Sequence, residues 1–90
     1  MPYIKKYRRF QLDNWLNLLI KDLEQQDEEI LAGEMNYCFS KIAWELFEQK
    51  RRYTRINTIN GVFISAQQEF ARRKVAPYED EKMQENGDLS

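Results

Sequence analysis

The first third of the chain carries apolar residues at helical intervals. Leucines recur at steps of four, three and four residues, the spacing that marks one face of an α-helix. They are Leu12, Leu16, Leu19 and Leu23. Further apolar side chains fall on the other faces of the same predicted helix: Phe10, Trp15, Leu18 and Ile20. Because a helix that is apolar nearly all round needs more than one packing surface, this pattern favours a second partner surface, such as another copy of the chain.

Two further apolar stripes follow the same three-and-four spacing. The first consists of Met35, Phe39, Ile42 and Leu46, with Cys38, Ala43 and Phe47 beside it. The second consists of Ile56, Ile59, Phe63, Ala66 and Phe70. Strand-like alternation is not found, so the pattern predicts an all-α domain over residues 1–90. We expect a three-helix bundle with a short C-terminal helix, the helices lying at about 6–26, 34–49, 55–76 and 78–85.

The limits of these helices are predicted from residues that start or stop helices. Polar residues 25–29 are typical of a connection, and Gly33 marks the bend into the second helix. Thr54 suits the N-cap of the third helix. Pro77 ends that helix and can open the fourth, which Gly87 then closes.

Composition removes several classes of function. The chain has 90 residues, one cysteine and no histidine. A disulfide within the chain is therefore impossible, Cys38 is expected to be a buried and inert thiol, and a zinc site is improbable. We expect no cofactor and no bound metal. A chain this short is marginally stable alone, which leaves self-association as the expected remedy.

Charge and hydropathy narrow the partners. The net charge is −1, which gives no bulk attraction to nucleic acid. No apolar run reaches the ~18 residues that cross a bilayer, so no membrane partner is expected and the interpretation is cytoplasmic. The charges are nevertheless segregated, with basic clusters near residues 5–9, 50–55 and 72–74 and acidic segments at residues 22–34 and 79–88.

Polar residues among the apolar stripes are the candidate binding residues. They predict a small polar pocket between the second and third helices, where arginines could clamp an anion. The tentative set is Asn36, Tyr37, Asn57, Asn60, Glu69, Arg72, Arg73 and Tyr78. The competing interpretation is structural: hydrogen-bonded amides between helices, and basic residues that complement a helix C-terminus or pair with the acidic segment beyond it.

Enzyme signatures are missing from the sequence. Catalytic Ser/His or Cys/His pairs cannot form without histidine, and the three glycines are too far apart for a phosphate loop. Glu45 and Glu48 resemble one of the two carboxylate pairs that helical nucleotide pyrophosphatases use to hold magnesium. A matching downstream pair is missing, so we expect a non-enzyme, with metal-dependent nucleotide hydrolysis as a remote alternative.

Several segments resemble a small family of uncharacterised proteins of phages and bacterial genomes. These segments are the opening MPYI, the pair Asn36-Tyr37, residues 53–62 (YTRINTINGV), residues 69–73 (EFARR) and the close VAPYEDEKMQENGD. The resemblance covers nearly the whole chain and implies that the C-terminal residues are more than a disordered tail. They are Pro77, Tyr78, Glu79, Asp80, Glu85, Asn86, Gly87 and Asp88. Where the family usually has Ile-Gly-Val, this chain has Asn60-Gly61-Val62. Asn-Gly is typical of hairpin turns, but it lies inside a helical pattern and is kept in the third helix.

The sequence therefore predicts a non-enzymatic helical interaction protein of phage or mobile-element type that acts as a homo-oligomer. The alternatives are a binder of a small anionic ligand such as a nucleotide signal, a module for another protein partner, and a nucleic-acid-binding protein, the last not expected on charge.

Overall fold

The computed structural model of the protein describes residues 4–89 and contains no strand in that range. Its helices are α1 (Lys6–Leu23), α2 (Glu28–Gln49), α3 (Tyr53–Phe70) and α4 (Ala76–Asn86), and a π-helical turn, Ala71–Val75, joins the last two. The predicted all-α class is confirmed. The chain divides into two compact units, Met1–Gln49 and Lys50–Ser90. Of the opening MPYI, the first three residues lie outside the described range.

The first unit is a helical hairpin with a short turn. α1 ends at Leu23, three residues before the expected end, and α2 begins at Glu28, six residues before the expected start. The reason is an N-cap: the Asp27 Oδ1 atom accepts a hydrogen bond of 3.1 Å from the backbone N–H of Ile30. Glu28 and Glu29 then complement the helix dipole in the first turn. Gly33 consequently lies inside α2 and marks no bend.

The leucine stripe of α1 is the face that packs within the hairpin. Three of its four members are half-buried: Leu12, Leu19 and Leu23. On α2 the half-buried side chains of the N-terminal half include Leu31 and Cys38. The predicted α1 stripe is thus confirmed, while the Cys38 thiol is half-buried rather than fully enclosed.

The main stripe predicted for α2 is exposed. Phe39 is 53% exposed and Ile42 is 56% exposed, and Met35 and Leu46 are also exposed. The half-buried apolar side chains of α2 lie beside this stripe: Leu31, Cys38, Ala43 and Phe47. A second apolar face of α2 therefore remains uncovered.

The second unit is one continuous helical segment. α3 begins at Tyr53 with Arg52 at the N-cap position, so Thr54 is not the cap. Thr54 lies in the first turn, where its carbonyl oxygen accepts a 3.0 Å hydrogen bond from the Thr58 hydroxyl. The Asn60-Gly61 pair lies inside α3, as predicted.

The expected break at Pro77 does not occur. Backbone angles stay right-handed helical from Phe70 through Ala76, and the N–H of Ala76 donates to the carbonyl of Ala71, five residues back. In a regular helix the ring of Pro77 would clash with the carbonyl four residues earlier; the wider π turn comes at this point and lets α4 follow directly. As predicted, α4 ends at Gly87, which has φ 87°. The N–H of Gly87 donates a hydrogen bond of 2.8 Å to the carbonyl of Met83.

None of residues 4–89 is fully buried. The large exposed side chains include aromatic residues on every helix, among them Phe10, Trp15, Trp44, Phe63 and Tyr78. Each helix therefore carries apolar side chains that are at most partly covered.

Candidate functional site

The residues predicted to bind a ligand are divided between the two units. Asn36 and Tyr37 lie on α2 in the first unit. The other six lie in the second unit, on α3, the π turn and α4: Asn57, Asn60, Glu69, Arg72, Arg73 and Tyr78. Of all eight, only Glu69 is half-buried, and the remaining seven are exposed.

Glu69 organises the polar cluster of the second unit. Its side chain is 26% exposed, and both of its carboxylate oxygens accept hydrogen bonds of 3.1 Å from Nη2 of Arg72. Nη1 of Arg73 lies 3.8 Å from the same carboxylate. The hydrogen bond from Arg72 is the main cause that holds the pKa of Glu69 below its ordinary value; burial opposes this shift, and the nearby charges of Arg72 and Arg73 support it.

The cluster lies at the junction between α3 and the π turn. Glu69 lies in the last turn of α3, whereas Arg72 and Arg73 belong to the π turn itself. The two arginines thus share a carboxylate one turn upstream. This pairing is the i, i+3 and i, i+4 contact that helix geometry favours, and the spacing in residues 69–73 could have indicated it. It favours a structural role for the arginines over an open anion clamp.

A largely exposed apolar stripe of the second unit runs along α3. We call it the α3 seam: Ile56, Ile59, Phe63, Ala66 and Phe70. Phe63 is 44% exposed and Phe70 is 63% exposed, while Ile59 is half-buried. The alternating steps of three and four residues are those of a coiled-coil interface.

Glu45, one residue of the acidic pair Glu45 and Glu48, is paired with a lysine. Glu45 Oε1 accepts a hydrogen bond of 3.1 Å from the ammonium of Lys41, and both side chains are well exposed. This bond and the charge of Glu45 raise the pKa of Lys41. Among residues 4–89, no group of three or more acidic or cysteine side chains is arranged to hold a metal ion.

An open depression of about 560 Å³ lies beside the C-terminal end of α4. Its lining includes Glu79, Asp80, Met83, Asn86 and Leu89. Lys82 also lines it, and its ammonium pairs with Glu85 at 3.1 Å and lies 5.4 Å from the centre of the Tyr78 ring. The depression is acidic, wide open and formed by one helix with its tail, so it is not the enclosed site that a small molecule needs. Within the described part of the chain, no helix has the length and apolar character required to traverse a membrane.

A family model described as a domain of unknown function (DUF6899) matches residues 1–89 of the chain. The chain belongs to this family. Its description names no activity or ligand. No curated protein and no solved structure matches the chain significantly.

Proposed function

We propose that this protein is a non-enzymatic helical interaction protein of phage or mobile-element type that works as a homo-oligomer. The observation that carries the proposal is that no side chain among residues 4–89 is fully buried. The chain has 42% hydrophobic residues, and within the described range these side chains are only half-buried or exposed, so a partner is needed to cover them. The phage or mobile-element clause is supported by the sequence segments that resemble such proteins.

Self-association is favoured over other partners because the apolar residues occupy every helix. The outer face of α1, the exposed stripe of α2 and the α3 seam are each uncovered. A small chain with a single cysteine also has no internal disulfide to stabilise it. Identical copies provide the same set of apolar faces on both sides of a contact.

Urea unfolding at several protein concentrations tests the proposal. If folding and assembly are coupled, the unfolding midpoint rises with protein concentration, and for a dimer each tenfold increase adds about 1.4 kcal/mol of stability. Circular dichroism follows the helix, and light scattering gives the mass before unfolding. A midpoint independent of concentration, with the mass of a single chain of 11.0 kDa, would contradict the proposal.

A further inference from the structure

The second unit contains a helical segment much longer than the sequence pattern predicts. Because the backbone remains helical through the π turn and Pro77, residues 53–86 form one segment about 50 Å long. Its length brings together, on one helix, features that a break at Pro77 would have separated.

The apolar seam extends across the π turn. Ile56, Phe63 and Phe70 are seven residues apart, which keeps them on one side of the helix. A π turn accommodates one extra residue, so the next position in line is eight residues after Phe70 rather than seven. That residue is Tyr78, which is exposed, whereas a regular helix would have placed Pro77 there.

The two ends of this segment carry opposite charge. Residues 50–55 contain four basic residues and no acidic one, a net charge of +4. Residues 79–85 contain four acidic residues and one lysine, a net charge of −3. The lysine, Lys82, pairs with Glu85 on the same helix.

We propose that the α3 seam is covered by the same segment of a second copy, running antiparallel. This inference rests on the proposed self-association and specifies its surface and orientation. Antiparallel packing sets the basic end of each copy against the acidic end of the other, whereas parallel packing sets like charges against each other at both ends. Pairing the ends in this way places Arg55 opposite Glu79, Ile56 opposite Tyr78 and Gln67 next to its own copy at the two-fold axis.

Spin-label distances in the full-length oligomer test the orientation. In a Cys38→Ser background, one sample carries a label at Thr54→Cys and another at Gln67→Cys. Antiparallel packing predicts about 40 Å between the two Thr54 labels, because each lies 13 residues from the axis at 1.5 Å per residue. The Gln67 labels should be separated by about the 10 Å spacing of packed helices.

Each other outcome overturns the inference in a recognisable way. Thr54 labels as close as the Gln67 labels would indicate parallel packing. Widely separated Gln67 labels in an intact oligomer would show that another surface forms the contact, while self-association itself would stand. If the labelled chain has the mass of a monomer, and the unlabelled protein has that mass too, both the inference and the proposed function are wrong.

A charge reversal gives a second readout that needs no label. Arg55→Glu should weaken self-association roughly tenfold, because a symmetric dimer meets the change twice. Adding Glu79→Arg in the same chain should restore it. In a parallel arrangement Arg55→Glu would relieve repulsion and strengthen association, so that result would overturn the proposal.

Discussion

Nη2 of Arg72 donates to both carboxylate oxygens of Glu69, each at 3.1 Å, across the boundary between α3 and the π turn. The contact joins a half-buried carboxylate of a regular helix to a guanidinium of a widened turn. It connects a residue of the π turn to the last turn of α3, and α4 follows directly after that turn.

Glu69→Gln should destabilise the protein in a pH-dependent way. The pKa of Glu69 is lowered from 4.5 in the folded chain, so its charged form adds stability above pH 4.5. That stability is lost as the pH falls through the folded pKa. Unfolding midpoints of the wild type and Glu69→Gln should therefore differ at pH 7 and converge as the pH falls below 4.5 and through the folded pKa.

Glu45→Gln is the matched control for this change. Glu45 pairs with Lys41 at 3.1 Å, as Glu69 does with Arg72, but its side chain is 62% exposed. Exposed pairs contribute little, so the effect of Glu45→Gln should be the smaller one. Equal effects of the two variants at pH 7 would show that the Glu69 pair has no special role.

Phe63→Asp should weaken self-association by a factor on the order of 100 or more, because a buried aromatic side chain contributes about 2–3 kcal/mol in each copy. Ile64→Asp introduces the same residue one position later, about 100° round the helix from Phe63 and at least about 80° from every other member of the α3 seam. Ile64 is exposed to a similar degree as Phe63, yet its replacement should change the dissociation constant by less than about threefold. Dilution monitored by fluorescence anisotropy measures both; equal effects would exclude the α3 seam as the contact.

Gly61→Ala should stabilise the helix by about 0.5–1 kcal/mol. A Cβ atom at Gly61 meets no atom within 4 Å, and φ is not positive there. Gly61 lies about 200° from Phe63 on the helix and therefore points away from the seam, so the dissociation constant should stay unchanged. Thermal unfolding at fixed concentration measures the gain. A loss of association would show that a neighbouring helix approaches closely at Gly61.

Pro77→Ala should raise the helix content and lower the affinity between copies. Alanine removes the ring clash that favours the π turn, so the segment can relax to a regular α-helix. Tyr78 would then rotate by about 100° away from the seam. Circular dichroism and sedimentation measure the two effects, with Gly61→Ala as the control that raises helix propensity but leaves the seam intact. An affinity as high as that of the wild type would show that Tyr78 is not part of the contact.

The sequence predicted the helical class and the interior face of α1 because both depend on the 3.6-residue period. It misplaced the start of α2, since the acidic residues around Asp27 resemble a loop although Asp27 caps the helix. The uncovered stripe of α2 was misassigned because periodicity identifies an apolar face but not which partner covers it.

The expected end at Pro77 shows a second limit. Local rules correctly give a helix start near Pro77 and an end at Gly87. They do not show that a π turn lets two helices join, because that depends on backbone hydrogen bonds five residues apart. The candidate site was predicted only in part: the contact between Glu69 and Arg72 follows from spacing, whereas the exposure of apolar side chains on each helix emerges only from the structure.

Sedimentation equilibrium of the wild-type protein from nanomolar to about 100 micromolar tests the central claim most directly. Coupled folding and assembly predict a mass of at least two chains at high concentration, and loss of helical signal in the same range where the mass falls to one chain. A single species of 11.0 kDa that keeps its full helix content at every concentration would contradict the account.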